Sequence, residues 1–206
     1  MSHLIDVLKQ RRSIRKYQLQ PVSEEIIRDI LEAAAYAPSA HNAQPWRFII
    51  LTESKEKTVL VDAMAKMWLR ELEKDHIPKN ERCATVNVSV ERFTAAPLLI
   101  LACLTLDAMD TYPDAERQAN ERDLAMQSLA AATQNLLLAA HANGLGACWF
   151  CAPIFCKTVV RQALEIPCDV EPQALITLGY PDEAPKMPRR HPLGAFVYRG
   201  KWGNPL

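Results

Sequence analysis

Apolar residues recur along this chain in two rhythms, short dense runs and longer stretches that repeat every three to four positions, the signatures of buried strand and amphipathic helix. Leu4, Ile5, Val7 and Leu8 give one apolar face and predict a helix over Leu4–Gln10. Arg11 to Gln20 reads as an extended polar crossing closed by Pro21. Ser23 supplies a capping hydroxyl and Glu24 and Glu25 acids in the first turn; Ile26, Ile27, Ile30, Leu31 and Ala34 then keep helical spacing through Tyr36 until Pro38 stops the run. Trp46–Thr52 is short, apolar and bounded by loop signals, as a buried strand is. Ser54 opens a helix to Leu72. The charged stretch Glu73–Ala84, with Pro78 inside it, predicts mostly loop, and Val86–Phe93 predicts helix.

Leu98–Leu104 is a second buried strand, and Ala115–Asn143 a long helix ended by Gly144. The small apolar residues on several sides of that helix predict burial on more than one face, as in the core of a dimer. Ala147–Phe150 and Gln173–Leu178 complete four strands, with a short helix over Thr158–Leu164 between them. The proline-rich tail beyond Tyr180 carries too few apolar residues for a core of its own and is expected to wrap a neighbour. The element order predicts an α+β sandwich with a mostly antiparallel or mixed sheet. The 206 residues suit a single domain, 1–206.

Charge narrows the function classes. With 24 basic and 24 acidic residues the formal net charge is zero, leaving no field to recruit nucleic acid or an anionic membrane. The longest apolar stretch, Leu129–Ala142, is interrupted by Thr133, Gln134, Asn135 and His141 and is too short to span a bilayer. The N-terminal residues have no basic region followed by an apolar block, so a cytoplasmic location is expected. The six cysteines then read as reduced thiols without disulfides.

Two polar stretches carry the candidate chemistry. Arg11-Arg12-Ser13-Ile14-Arg15 offers three guanidiniums and a hydroxyl within five residues, which suits a phosphate monoester because guanidinium donors are forked and permanently charged. Pro38-Ser39-Ala40-His41-Asn42-Ala43-Gln44-Pro45-Trp46 offers amides and hydroxyls in a loop feeding directly into a strand, as a flat heterocycle with polar edges requires. Together they point to a phosphorylated planar cofactor. Trp46 itself reads as core.

These stretches, followed by Gly144-Leu145-Gly146-Ala147-Cys148-Trp149 and Gly179-Tyr180-Pro181, resemble the ordered landmarks of the FMN-dependent nitroreductase family from about Leu4 to about Pro192. Trp68-x-x-x-Leu72, Asp75, Arg82, Tyr112-Pro113-Asp114 and Ala125 to Trp149 further resemble the C-terminal flavin domain of the deazaflavin-coenzyme glutamate ligase. The family resemblance implies a nitroreductase-like three-layer sandwich in an intertwined homodimer, with FMN at the subunit interface. It assigns FMN phosphate and ribityl contacts to Arg11, Arg12, Ser13 and Arg15. It also implies flavin contacts across the dimer from Pro38, Ser39, Asn42, Gln44 and Pro45, and an amide donor to flavin N5 at Phe150, Cys151 or Ala152. Many relatives carry a glycine near that point. Arg189 and Arg190 resemble a late basic residue that returns to the phosphate, or are simply a basic tail.

The implied activity is hydride transfer from NAD(P)H through flavin N5 to a nitroaromatic, quinone or related acceptor by a ping-pong mechanism. Reduction of a dehydro precursor of a deazaflavin coenzyme and non-catalytic flavin storage are the alternatives. The acceptor pocket is expected between Ala63 and Tyr112, where Trp68, Glu71, Asp75, His76, Arg82 and Tyr112 could wall it; His41 could touch substrate from the loop. Gln127 and Ser128 remain without a role. Cys148-x-x-Cys151 lies on a strand expected to be buried, which raises thiol pKa and disfavours dithiol catalysis. A zinc site drafting Cys156 and His141 lacks a second paired motif, so no metal is expected. No catalytic triad, Walker loop or Gly-x-Gly-x-x-Gly is present.

Overall fold

The computed structural model describes residues 2–206. Four strands, β1 (Trp46–Leu51), β2 (Leu98–Leu104), β3 (Gly146–Phe150) and β4 (Glu171–Gly179), form one antiparallel sheet in the order β1-β2-β4-β3. Helices α1 (Ser2–Gln10), α2 (Glu24–Ala35), α3 (Ser54–Lys74), α4 (Lys79–Ala95), α5 (Ala115–Ala142) and α6 (Lys157–Ala163) surround it.

Strand β2 explains the layering. All seven of its residues are buried, and alternation sends Leu98, Ile100, Ala102 and Leu104 into a core with α2 and α5, and Leu99, Leu101 and Cys103 into a second core with α3, α4 and α6. The expected three-layer α+β sandwich is therefore present. A bulge bends the sheet where Gln173 is the extra residue between the pairs Ala102–Ala174 and Cys103–Pro172. Pro172, which has no N–H to give a ladder, sits beside it.

The Glu73–Ala84 expectation is corrected. Helix α3 runs to Lys74, and α4 begins at Lys79 with Pro78 as its N-cap, so the loop is four residues long. Proline is compatible with a helix start because the N–H it lacks is unpaired there anyway. The charges lie on an exposed helical hairpin: Arg82 donates to the Ile77 carbonyl at 3.2 Å and pairs with Glu73 at 2.5 Å, tying the turn.

The extended crossing after α1 lies beside the sheet. Ile14 N–H donates to the Ala147 carbonyl at 3.0 Å and Gln18 N–H to that of Tyr180 at 2.9 Å. Gly146 is required there, since a Cβ on it would come within 2.7 Å of the buried Ile14 side chain. Gly144, at φ +76°, ends α5 in the left-handed region. Among the described residues all six cysteines are free thiols, and no helix is long and apolar enough to cross a membrane.

Candidate functional site

The arginine cluster divides by face. Along an extended crossing alternate side chains point to opposite sides, and Arg12 turns back onto the end of α1, where one guanidinium nitrogen donates to the carbonyls of Lys9, Gln10 and Arg11 at 2.7, 2.8 and 2.9 Å. It caps the helix. Ser13 and Arg15 instead act on Cys148, as does Arg11, which also lines a cavity together with Arg12. Burial pushes that thiol's pKa up, while the charges of Arg15, Arg92 and Arg11 and the Ser13 hydroxyl pull it partly back. Arg92, from α4, was not singled out by the sequence reading. Its guanidinium lies 5.7 Å from the Phe150 ring centroid.

Alternation along β3 puts Cys148 and Phe150 on the same face. Next to Phe150 opens a cavity of about 660 Å³, walled by Met64, Trp68, Phe93, Phe155 and Ala152, with Glu71 and Arg92 as its two charged lining residues. One continuous face therefore runs from an apolar, aromatic cavity along β3 to a hydroxyl and three guanidiniums. The β3–β4 ladder ends at the Phe150–Leu175 pair, so the Cys151 amide lies past it, between two residues that line the cavity. Cys151 is exposed, not buried with Cys148 as expected, because the strand stops one residue before it. The two thiols do not form a buried pair.

Behind Arg11 and Arg12 lies a second cavity of about 320 Å³, lined also by His141 and Glu183. Burial lowers the His141 pKa, and the charges of Arg11 and Arg12 lower it further, so this corner is electropositive. Arg189 and Arg190 lie farther along the tail, exposed, with no hydrogen bond or ion pair among the described residues.

The Pro38–Pro45 loop stands at the other edge of the sheet, leading into β1. His41, Asn42 and Gln44 have positive φ of 54°, 52° and 47°, a concentration of left-handed backbone that non-glycine residues rarely adopt. Ser39 Oγ accepts from Gln44 N–H at 3.1 Å, and Ser128 Oγ, from α5, accepts from Ala40 N–H at 3.1 Å while donating to the Leu124 carbonyl at 2.7 Å. Ser128 thus anchors the loop, whereas Gln127 is exposed. Pro45 and Trp46 are buried, as a rigid entry into β1 requires.

His41 approaches Glu121 of α5 and Asp110; neither acid was singled out from sequence. Tyr112, nearby in sequence, packs under the Arg117 guanidinium at 4.7 Å. Trp68 lines the large cavity. Within one chain, then, the arginine face and the loop occupy opposite corners. Strands β2 and β4 separate their edges, about 14 Å at the usual strand spacing. Ser13 pairs at the start of β3, the sheet end that holds the last residues of β1, whereas the loop precedes its first.

Comparison with known proteins gives this geometry a family. The nitroreductase family model matches residues 8–180. A provisionally named NAD(P)H nitroreductase of Bacillus subtilis, YfhC, is 31% identical over 192 residues, 93% of this chain and 91% of that protein. The 5,6-dimethylbenzimidazole synthase of Rhodospirillum rubrum is 30% identical over 193 residues, covering 92% and 88% of the two chains. A provisionally named nitroreductase from Desulfovibrio desulfuricans, solved in complex with FMN, superposes with a TM-score of 0.74 at 28% identity, over 98% of this chain and 99% of that one. On sequence and fold together, this chain belongs to the nitroreductase family.

Proposed function

We propose that this protein is a homodimeric, FMN-dependent oxidoreductase that passes electrons from NAD(P)H to a small conjugated acceptor. The observation that carries the reading is the single face of β3 on which an aromatic cavity, an amide past the ladder end and a cluster of guanidiniums follow one another. Its polarity matches a molecule with a flat ring at one end and a phosphate at the other. FMN bound there would supply two-electron chemistry at its N5 edge.

Arg11, Ser13 and Arg15 hold the phosphate, joined by Arg92; Arg12 acts by fixing the end of α1. Phe150, Trp68 and Phe93 would exclude water from the ring, and the Cys151 or Ala152 amide would be the donor to its N5 edge. The separation of the Pro38–Pro45 loop from this face supports a dimer in which Ser39, Asn42 and Gln44 complete the partner's site. The exposed apolar face of α1, with Leu4 64%, Ile5 46% and Leu8 45% accessible, supports the same assembly. Arg189 and Arg190 reach the phosphate only if the tail refolds over it or comes from the partner. Trp68 and Glu71, within the segment that resembles the deazaflavin-ligase domain, line the large cavity. That favours a bulky fused-ring acceptor, including a dehydro-deazaflavin, as a second reading.

The visible spectrum of the purified protein tests the cofactor. Flavin absorption, released as FMN on denaturation, is expected, and Arg11→Ala together with Ser13→Ala should weaken FMN binding by about 10- to 100-fold, the loss of one or two charge-assisted hydrogen bonds. Cys148→Ser should change it little. Oxidation of NADH or NADPH with nitrofurazone, menadione or a dehydro-deazaflavin identifies the acceptor. Flavin binding without turnover of any of the three would make the protein a flavin carrier. A protein that purifies colourless and refuses added FMN overturns the reading.

A further inference from the structure

We propose that His41, Asp110 and Glu121 form a divalent-cation site of the zinc type that ties the Pro38–Pro45 loop to α5. His41 Nε2 lies 3.3 Å from Glu121 Oε2 and 3.9 Å from Asp110 Oδ2, and the three atoms all fall within 4.8 Å of one another. This site does not depend on the flavin reading.

The decisive group is Glu121. Its side chain is 6% exposed, and its Oε2 has no hydrogen-bond partner. An uncompensated buried carboxylate is strongly unfavourable. Among the described residues no lysine or arginine pairs with it, and the basic side chain that approaches it is His41. The 3.3 Å approach of His41 lacks hydrogen-bond geometry, and the 3.9 Å approach to Asp110 is too long for one. Three donor atoms thus converge without bonding to each other, as ligands around a common centre do.

Spacing and chemistry select the cation. Bonds of about 2.0–2.1 Å in a tetrahedral site place ligand atoms about 3.3–3.4 Å apart. The His41–Glu121 separation already matches, and Asp110, 60% exposed, closes the remainder by a side-chain rotation. One imidazole nitrogen and two carboxylate oxygens, with no thiolate, suit Zn2+ and its spectroscopic surrogate Co2+. Three protein ligands leave the fourth position of a tetrahedral site open to water. The consequence is mechanical. Ser128 holds the loop at Ala40, and the cation holds it one residue later, where the backbone is left-handed.

Zn2+ titration of chelator-treated protein, followed by calorimetry and thermal melting, tests the site. One ion per chain with a dissociation constant near about 1 micromolar and a rise in melting temperature are expected. Glu121→Gln keeps the shape and removes the buried charge; Asp110→Asn changes an exposed group and leaves folding intact. Each should weaken Zn2+ binding by about 100-fold and abolish the thermal shift. Co2+ should give visible d–d bands without the near-ultraviolet charge transfer of a thiolate, which separates this site from the exposed Cys151 and Cys168. No saturable uptake at about 100 micromolar Zn2+, a thiolate signature, or equal binding by both variants overturns the proposal.

Discussion

Single side chains tie the elements around the candidate site. Glu171, at the start of β4, accepts from Arg122 of α5 at 2.8 Å and from Lys157 of α6 at 2.6 Å. The Arg122 hydrogen bond chiefly, against an opposing effect of burial, and then Lys157, hold the Glu171 carboxyl at about 2. Because the folded pKa is depressed, the unfolded chain binds more protons between that value and the ordinary carboxylate range. The stabilisation is full above the unfolded pKa of about 4.3 and is lost as pH falls towards about 2. The stability difference between wild type and Glu171→Gln, read by urea denaturation, should therefore be largest near neutrality and shrink steadily below about pH 5. A difference that is constant across this range would show that the bridge contributes nothing to folding. The same scale shows why part of the site was legible. Three arginines and a serine mark a candidate anion site by composition, and alternation along an extended crossing separates Arg12 from Ser13 and Arg15. Arg92 gave no comparable signal, since an arginine on an amphipathic helix looks like any solvated charge.

Elements were readable wherever one signal dominated. Burial of both faces marks β2, and a capping serine with two following acids marks α2, whose Ser23 Oγ accepts from Ile26 N–H at 3.4 Å. The α3–α4 hairpin was not readable. Its first helix end and second helix start are rich in charge, and proline looks alike in a loop and at an N-cap. What holds this hairpin is tertiary: the buried Lys57 of α3 donates to the carbonyl of Ala96 at 2.8 Å and reaches that of Pro97 at 3.4 Å, closing the C-terminal end of α4. Burial lowers the Lys57 pKa, opposed by Glu53, yet the ammonium satisfies carbonyls that would otherwise be orphaned. Lys57→Met keeps the stem and removes the donor, and should lower stability by about 1–3 kcal/mol by urea denaturation. It should also loosen the Trp68 wall of the large cavity. An unchanged midpoint would mean that water replaces the ammonium at no cost.

At the scale of the whole molecule, the proposed dimer would cover exposed apolar surface. Leu4, Ile5 and Leu8 on α1, and Phe196 and Trp202 on the tail, are exposed, a poor arrangement for an isolated chain. The combined Leu4→Arg and Leu8→Arg change should yield a monomer in sedimentation velocity and lose bound flavin at the same time, because each ring would lack the partner's loop. A variant that stays dimeric and yellow would place the interface elsewhere. The sequence by itself determined the element types outside the α3–α4 hairpin, the two polar stretches and the family, since propensity, periodicity and local chemistry are properties of short windows. Only the tertiary structure decided the strand order, the opposite corners occupied by the arginine face and the loop, and the meeting of His41 with Glu121 and Asp110. Those depend on contacts between residues far apart in the chain, selected by which faces bury together, and no window along the sequence contains them.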